Sequence, residues 1–291
     1  MPLSRRQLLH IALGSATALF AGRTRSAPVA RADHLHWLAT ADSGSGDRHQ
    51  IAVGSAMAAL HRRHPADLVL LGGDNIYNDG DIRLVERAFR RPYQELLAAG
   101  VPFHAVLGNH DIRTDGGAGQ LAYPGFGMKG RWYTLRRGPV QFFLIDTNVD
   151  VPWQHQMPWL RKNLAESTAP WKVVVGHHPI YSSGFYGDDP VAQRRLGSHF
   201  QRHGVQLYIN GHDHHYERST PIHGTTYLTV GNGGASLRPV LAGANTARAV
   251  STFGFTSLKA DATGLTIQAW DTAGKRLDQA RLALNGSLQP L

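Results

Sequence analysis

Polar side chains of the kinds that bind metal ions follow the ends of five short apolar runs in this sequence. These side chains are Asp42, Asp74, Asn109, His110, His177, His212 and His214. Carboxylate oxygens, amide oxygens and imidazole nitrogens all serve as metal ligands in proteins. Because the carboxyl ends of strands in an open α/β sheet converge on one crevice, this pattern predicts a metal centre at that edge.

The individual motifs differ in how specific they are. The Gly-Asp pair at 73–74 also fits a helix cap or a turn, so by itself it is weak evidence. The Gly-Asn-His-Asp motif at 108–111 is more specific, because a turn rarely needs these three polar residues together. The Gly-His-Asp-His motif at 211–214 places two imidazoles on one side of an extended segment, which suits binding to adjacent metals.

His177 and His178 form the ambiguous pair among the histidines. Adjacent residues at a strand end point in opposite directions, so only one of the two is expected to be a ligand. We assign that role to His177, and we expect His178 either to support the ligands or to have a structural role.

The elements that must position these residues follow the pattern of an α/β fold, since apolar β-branched runs alternate with helix-length amphipathic segments. A length of 291 residues with 42% hydrophobic content favours one domain, residues 33–291. The predicted strands of this alternating part are 35–41, 68–71, 103–107, 140–145, 173–175 and 205–209. The predicted helices are 51–64, 82–99, 157–164 and 191–203.

The C-terminal part has a different pattern. Four further strands are predicted at 226–230, 255–259, 265–270 and 276–284, joined by turns, and antiparallel hairpins are expected there. The segment 116–130 is rich in glycine and is predicted to be a long loop.

Composition excludes several kinds of chemistry. The chain has no cysteine, so disulfides, thiolate nucleophiles and cysteine-ligated metals are excluded. A formal charge of +9 is typical of proteins that bind nucleic acids. However, the basic residues are scattered and lack interleaved aromatic residues. No nucleic-acid binding is therefore expected.

Residues 1–32 resemble a twin-arginine signal peptide. Arg5 and Arg6 precede a short apolar stretch that ends in small residues, and no acidic residue comes before Asp33. The alternative is an ordinary amphipathic first helix. Removal of the segment takes away five of the 30 basic residues and leaves 25 against 21 acidic ones, a formal charge of +4. We expect recognition by the twin-arginine (Tat) export machinery, a periplasmic or secreted bacterial protein, and no transmembrane segment in the mature chain.

Taken in order, the motifs resemble the five-motif signature of the calcineurin-like metallophosphoesterases. They read Asp-Ser-Gly at 42–44, Gly-Asp-Asn-Ile-Tyr at 73–77, Gly-Asn-His-Asp at 108–111, Val-Val-Gly-His at 174–177 and Gly-His-Asp-His at 211–214. The resemblance implies an α/β fold in which two mixed β-sheets pack as a sandwich flanked by helices.

Two positions select a branch of that superfamily. The superfamily in general has a histidine where this chain has Gly44, whereas purple acid phosphatases lose that histidine and gain a tyrosine, here Tyr77. The chain is therefore similar to purple acid phosphatases, from about Leu35 to the C-terminus. The lack of an extra N-terminal β domain makes it similar to their small, tartrate-resistant type.

The resemblance implies a ligand set for two metal ions. The first, Fe³⁺, would be bound by Asp42, Asp74, Tyr77 and His214. The second, Fe²⁺, Zn²⁺ or Mn²⁺, would be bound by Asp74, Asn109, His177 and His212, with Asp74 shared. Chemistry supports iron at the first site, because a phenol with a pKa of about 10 gives up its proton to a strongly Lewis-acidic cation. A core tyrosine is the alternative reading of Tyr77.

The implied reaction is hydrolysis of a phosphate monoester by attack of a metal-bound hydroxide. His110 would face the substrate as the main catalytic residue that is not a ligand. Purple acid phosphatases often carry another histidine after the equivalent of His177, but here 182–186 reads Ser-Ser-Gly-Phe-Tyr. The general acid is thus open among His110, Tyr186 and metal-assisted departure of the leaving group.

Two other functions remain open at this point. The same site could hydrolyse phosphodiesters such as nucleotides or phospholipid head groups, because one dinuclear core serves both ester classes. A more remote alternative is a non-catalytic secreted module for metal capture or adhesion.

Overall fold

The computed structural model describes residues 33–289, and the predicted signal peptide at 1–32 lies outside the described residues. The strands are β1 His34–Thr40, β2 Leu68–Leu71, β3 Phe103–Ala105, β4 Tyr133–Arg137, β5 Val140–Leu144, β6 Trp171–Val175, β7 Leu207–Asn210, β8 Tyr216–Ser219, β9 Thr226–Val230, β10 Thr246–Val250, β11 Gly254–Asp261, β12 Leu265–Asp271, β13 Arg276–Leu282 and β14 Leu288–Gln289. The α-helices are α1 Arg48–Arg63, α2 Gln94–Ala98, α3 Ala118–Ala122, α4 Trp153–Glu166, α5 Pro190–Ala192 and α6 Ser198–His203.

The strands form two sheets of seven strands each. The first sheet has the order β14-β13-β12-β11-β1-β2-β3, and the second has the order β10-β8-β9-β7-β6-β5-β4. In the first sheet β1, β2 and β3 run parallel, while β11 to β14 are antiparallel. In the second sheet β5, β6, β7 and β9 run parallel, with antiparallel strands at both edges. Both sheets are therefore mixed.

Alternating side chains along the strands explain how the layers pack. Trp37 on β1 faces the second sheet, where its ring meets Phe142 at a centroid distance of 5.3 Å, whereas Leu38 faces the opposite way. Helix α1 covers the outer face of the first sheet with residues such as Met57, and α4 covers the second sheet with residues such as Leu160. This confirms the predicted sandwich of two mixed sheets flanked by helices.

Helix α1 begins three residues earlier than predicted. Its cap is Asp47, whose side chain accepts hydrogen bonds from the main-chain N–H groups of His49 and Gln50. A side-chain cap of this kind satisfies N–H groups that have no partner inside the helix.

The predicted helix over 82–99 is wrong as a continuous helix. The structure has a 3₁₀ turn at Ile82–Leu84, a π-helical turn at Glu86–Arg90 and then α2. Pro92 has no N–H to continue the ladder, and the N–H of Arg91 reaches back five residues to Glu86. The predicted helix over 191–203 is continuous, but its middle is a π-helical turn at Gln193–Gly197.

The strand predictions were incomplete in both sheets. All ten predicted strands exist, but β4, β8, β10 and β14 were missed. The strand β9 was expected in a hairpin, yet it pairs parallel with β7 as well as antiparallel with β8. The segment 116–130 is not one long loop, because it contains α3 and a 3₁₀ turn at Pro124–Phe126.

Within residues 33–289, no helix combines the length and the apolar character needed to cross a membrane.

Candidate metal centre

Five parallel strands deliver the predicted site residues at their carboxyl ends. Strands β1, β2 and β3 of the first sheet lead to Asp42, Asp74 and Asn109, and strands β6 and β7 of the second lead to His177 and His212. The two sheets therefore each contribute ligands, and the crevice lies where their strand ends meet.

The main chain turns sharply at three of these positions. Asp42, Asp74 and His212 have φ values of 52°, 53° and 68°, in the left-handed region that side chains other than glycine adopt at a cost of about 1–2 kcal/mol. These turns aim each side chain inward immediately after its strand. The surrounding loops must supply the stabilisation that holds them, which is common at functional sites.

Four of the predicted residues meet in a first cluster. The phenol oxygen of Tyr77 lies 3.1 Å from Oδ1 of Asp42, 3.0 Å from Oδ2 of Asp74 and 3.3 Å from Nε2 of His214. Oxygen and nitrogen ligands at about 2.1 Å from one metal lie about 3 Å apart when they are at right angles. The four atoms therefore have the spacing of ligands to a single ion.

A second cluster contains the remaining ligands. Oδ1 of Asn109 lies 3.1 Å from Nε2 of His177 and 2.9 Å from Nδ1 of His212. His178 is also close enough to join a metal-binding group with these two histidines. However, its Nδ1 is engaged with the hydroxyl of Thr147 at 2.8 Å, so the tighter contacts favour Asn109 as the third ligand.

Asp74 connects the two clusters through one oxygen atom. Its Oδ2 faces the Tyr77 phenol at 3.0 Å and Nε2 of His177 at 3.6 Å. Its Oδ1 accepts a hydrogen bond from the main-chain N–H of His110. One oxygen is thus fixed to the backbone while the other lies between the two groups of ligands.

The partners of the imidazole nitrogens are those expected of metal-binding histidines. His177 presents Nδ1 to the carbonyl of Gly72 and Nε2 to Asn109, and both partners are oxygen acceptors. His214 likewise presents Nδ1 to the carbonyl of Ser236 and Nε2 to acidic groups. A neutral imidazole donates only one hydrogen, so this arrangement is the one expected when the other nitrogen binds a metal.

The first cluster combines a stabilised carboxylate with a phenol that holds its proton. Burial would raise the pKa of Asp42, but contact with His214 and the neighbouring histidines lower it to about 2. Burial, with Asp42 and Asp74, raises the pKa of Tyr77 well above its ordinary value. A bound cation of high charge reverses that shift, because it stabilises the phenolate directly.

In the second cluster, the pKa values of the two histidines shift in opposite directions. Burial and the adjacent His177 and His178 lower the pKa of His212 to about 2. Burial would also lower the pKa of His177, but the carboxylates of Asp74 and Asp42 outweigh it and raise that pKa. A neutral His212 is in the protonation state that a metal ligand requires.

Gly44 allows a close contact between the loop that follows β1 and the loop that carries Tyr77. The loop that contains Gly44 exchanges main-chain hydrogen bonds with the next loop, to Asp74 at 3.1 Å and from Tyr77 at 3.0 Å. A Cβ atom at Gly44 would overlap the main-chain atoms of Asn75 and Ile76. The close approach of these loops places the Tyr77 ring in the crevice and leaves no room for a side chain at position 44.

His110 lies at the mouth of the crevice. Its Nδ1 is held by the carbonyl of Asn78 at 2.6 Å, and Nε2 lies 3.3 Å from the guanidinium of Arg113 and 4.0 Å from Oδ2 of Asp74. With Nδ1 donating to the carbonyl, Nε2 is the nitrogen available to a bound substrate. The structure thus brings together all eight predicted site residues.

The sequence motif contained one residue whose role was not foreseen. Asp111 is fully buried, and its carboxylate accepts main-chain N–H bonds from Gly108, Asn75 and Ile76 and side-chain bonds from Asn75 and Gln120. It therefore clamps the loop that carries Asp74 to the loop that carries Asn109. The position of Asp111 in the Gly-Asn-His-Asp motif at 108–111 is the sequence feature that could have indicated this role.

Comparisons with known proteins show the family of this chain. The profile of the family described as "Calcineurin-like phosphoesterase" matches residues 35–216. Purple acid phosphatase 3 of Arabidopsis thaliana is 30% identical over 222 residues, which are 66% of this chain and 60% of that protein. Tartrate-resistant acid phosphatase type 5 of Sus scrofa is 26% identical over 250 residues, 72% of each chain.

A solved structure shows the same fold. The purple acid phosphatase PPD1 from yellow lupin (Lupinus luteus) seeds superposes with a TM-score of 0.76 at 20% identity, over 86% of this chain and 54% of that one. The profile match, the relatives and the five strand-end motifs together show that this chain belongs to the calcineurin-like phosphoesterase family, in its purple acid phosphatase branch.

Proposed function

We propose that this protein hydrolyses phosphate monoesters with a pair of metal ions. The observation that carries the proposal is the shared position of Asp74 Oδ2, which lies between a cluster with a phenol and a cluster with an amide oxygen and two imidazoles. Two metals held about 3.5–4 Å apart stabilise both the attacking and the leaving oxygen of a phosphoryl transfer.

The ligands support different metals at the two positions. The cluster of Asp42, Asp74, Tyr77 and His214 offers three acidic oxygens and suits Fe³⁺. The cluster of Asp74, Asn109, His177 and His212 offers one carboxylate and neutral groups, and suits Fe²⁺, Zn²⁺ or Mn²⁺. When bound, such a pair supplies an activated water and neutralises charge on the phosphoryl group.

The chain's own residues would then position the ester and move protons. His110 borders the crevice and can donate a hydrogen bond from Nε2 to a phosphoryl or leaving-group oxygen once it is protonated there. Tyr186 also borders the crevice, since its ring stacks on His212 at 4.0 Å and is 47% exposed. Both residues remain candidates for the general acid.

The proposal is tested by assays on the purified, metal-analysed protein with a phosphate monoester and a phosphate diester of the same alcohol. Hydrolysis of the monoester at the higher kcat/KM supports it, and a higher value for the diester assigns the site to diesters. The Asp74→Asn variant should lose both metals and activity. The Asp278→Asn variant, which removes the contact of Asp278 on β13 with Arg218 on β8, should retain both. A wild-type protein loaded with two metals that hydrolyses neither ester contradicts the proposal.

We also propose export by the twin-arginine route to the periplasm or the medium. The support is the paired Arg5 and Arg6 before an apolar stretch that ends in small residues. Replacement of both arginines by lysine should retain the protein in the cytoplasm of a bacterial host, while replacement of Arg23 alone should not.

A further inference from the structure

An arginine from a distant part of the chain lies beside the metal ligands. Arg238 belongs to the loop between β9 and β10, outside every motif of the site. Its main-chain N–H donates to the carbonyl of His214 at 3.0 Å, and its Nη1 lies 3.4 Å from the carbonyl of His212. The main chain and the side chain of Arg238 therefore both contact the segment 212–214, which supplies one predicted ligand to each cluster.

The charge of Arg238 is poorly compensated. Among residues 33–289, the carboxylate oxygen that comes within 4 Å of its guanidinium is Oδ1 of Asp213 at 3.9 Å, which is beyond hydrogen-bond distance. By contrast, Arg218 donates to Asp278 at 2.6 Å. The Arg238 side chain is also 29% exposed, so it is accessible from solvent.

Two exposed aromatic residues hold the guanidinium in place. Its Cζ lies 4.8 Å from the ring centre of Tyr186 and 5.3 Å from that of Phe185. Tyr186 in turn stacks on the imidazole of His212 at 4.0 Å. These contacts fix a cation over aromatic faces next to a metal ligand without neutralising it.

We infer that Arg238 binds the phosphoryl group of the substrate, with Tyr186 as its positioning residue, and that this extra cation favours monoesters over diesters. The inference rests on the proposed function. A guanidinium does not release its proton, so Arg238 contributes charge and hydrogen bonds and not acid catalysis. A monoester dianion gains more from an added positive charge than a diester monoanion does.

The test compares Arg238→Gln with the wild type at equal metal content. We expect kcat/KM for a monoester to fall roughly 10- to 100-fold, the effect of one charged hydrogen bond, and kcat/KM for a diester to fall less than about 3-fold. Inorganic phosphate, measured as an inhibitor and by calorimetry, should bind more weakly by a similar factor. Arg238→Lys should recover part of the phosphate affinity, because it keeps the charge but not the planar stacking.

Three further variants complete the test. Tyr186→Ala should weaken phosphate binding. Tyr186→Phe, which keeps the ring, should bind phosphate as tightly as the wild type does. Arg248→Gln is the matched control, since Arg248 is exposed and also donates to a main-chain carbonyl, that of Leu277.

Phosphate affinity and a monoester-to-diester ratio that stay at wild-type values in a folded Arg238→Gln variant would overturn the inference. The phosphate measurement decides it even if the wild type hydrolyses neither ester, in which case the proposed function alone would fail.

Discussion

Oδ2 of Asp74 lies 3.0 Å from the phenol oxygen of Tyr77 on one side, while the imidazole of His177 approaches the same oxygen to 3.6 Å on the other. A single carboxylate oxygen therefore separates an acidic set of ligands from a mostly neutral one. This asymmetry gives the two metal positions different chemistry, and it is the basis of the first prediction.

Tyr77→Phe should abolish a visible absorption band. A phenolate bound to ferric iron gives a charge-transfer band, and the phenylalanine ring keeps the packing but removes the oxygen that contacts Asp42 and Asp74. The measurement is a visible spectrum with metal analysis. Tyr133→Phe is the control, because that phenol is equally buried but donates to the carbonyl of Ala105. A colourless wild type that contains only zinc or manganese after mild oxidation would refute the iron assignment.

His110→Ala should lower kcat by roughly 100- to 10,000-fold, the usual contribution of an acid–base group. The side chain contacts Asn78 and Arg113 and does not stand among the predicted ligands, so metal content should stay at the wild-type value. Steady-state kinetics and metal analysis on the same preparation provide the measurement. The exposed His155→Ala variant should match the wild type. Unchanged kcat in fully metallated His110→Ala would remove the residue from the mechanism.

Asp111→Asn should weaken metal binding roughly 10- to 100-fold, as is typical when a group that orients ligands is lost. Asparagine introduces an amide donor where the main-chain N–H groups of Asn75, Ile76 and Gly108 already point inward. Competition with a metal chelator measures the change. Asp278→Asn should destabilise the fold without altering metal affinity, so equal chelator curves for the two variants would count against the clamp.

Stability should depend on pH through a histidine far from the metal centre. His36 is 6% exposed, with Nδ1 at the carbonyl of Pro65 and Nε2 at the hydroxyl of Ser257, both 2.9 Å away. Burial, only partly opposed by the Pro65 carbonyl, lowers the pKa of His36 from 6.5 to about 4. The unfolded chain therefore takes up a proton between pH 6.5 and pH 4 that the folded protein does not.

Acidification through this window should reduce the free energy of unfolding by up to about 3 kcal/mol, with no further loss from this group below pH 4. His36→Gln should flatten the pH dependence between these limits, as measured by denaturant unfolding at each pH. The exposed His155→Gln variant should keep the wild-type slope. An identical slope in His36→Gln would show that other groups carry the effect.

The strand-end residues could be predicted because parallel strands bring distant segments to one edge whatever their loops do. Asp42, Asp74 and His177 needed only the order of strands and the position of each residue relative to a strand end. Fold class followed from the same alternation. The residue types and their positions after the strands were therefore sufficient to predict which side chains come together.

Other features could not be predicted because they depend on packing between loops. Nothing in the sequence near Arg238 indicates that it reaches the carbonyls of His212 and His214. The break at Pro92 was visible, but the amphipathic pattern around it favoured a continuous helix. Strands such as β8 and β10 follow irregular loops, and their short length gave no clear alternation.

The tight contact at Gly44 couples the conformations of two loops. Any side chain at this position, even the methyl group of alanine, would overlap main-chain atoms of Asn75 and Ile76, so these atoms would have to move. The carbonyl of Gly44 also accepts the main-chain hydrogen bond of Tyr77, whose phenol contacts Asp42 and Asp74. A substitution at Gly44 is therefore expected to disturb the first cluster of side chains without replacing any of its members.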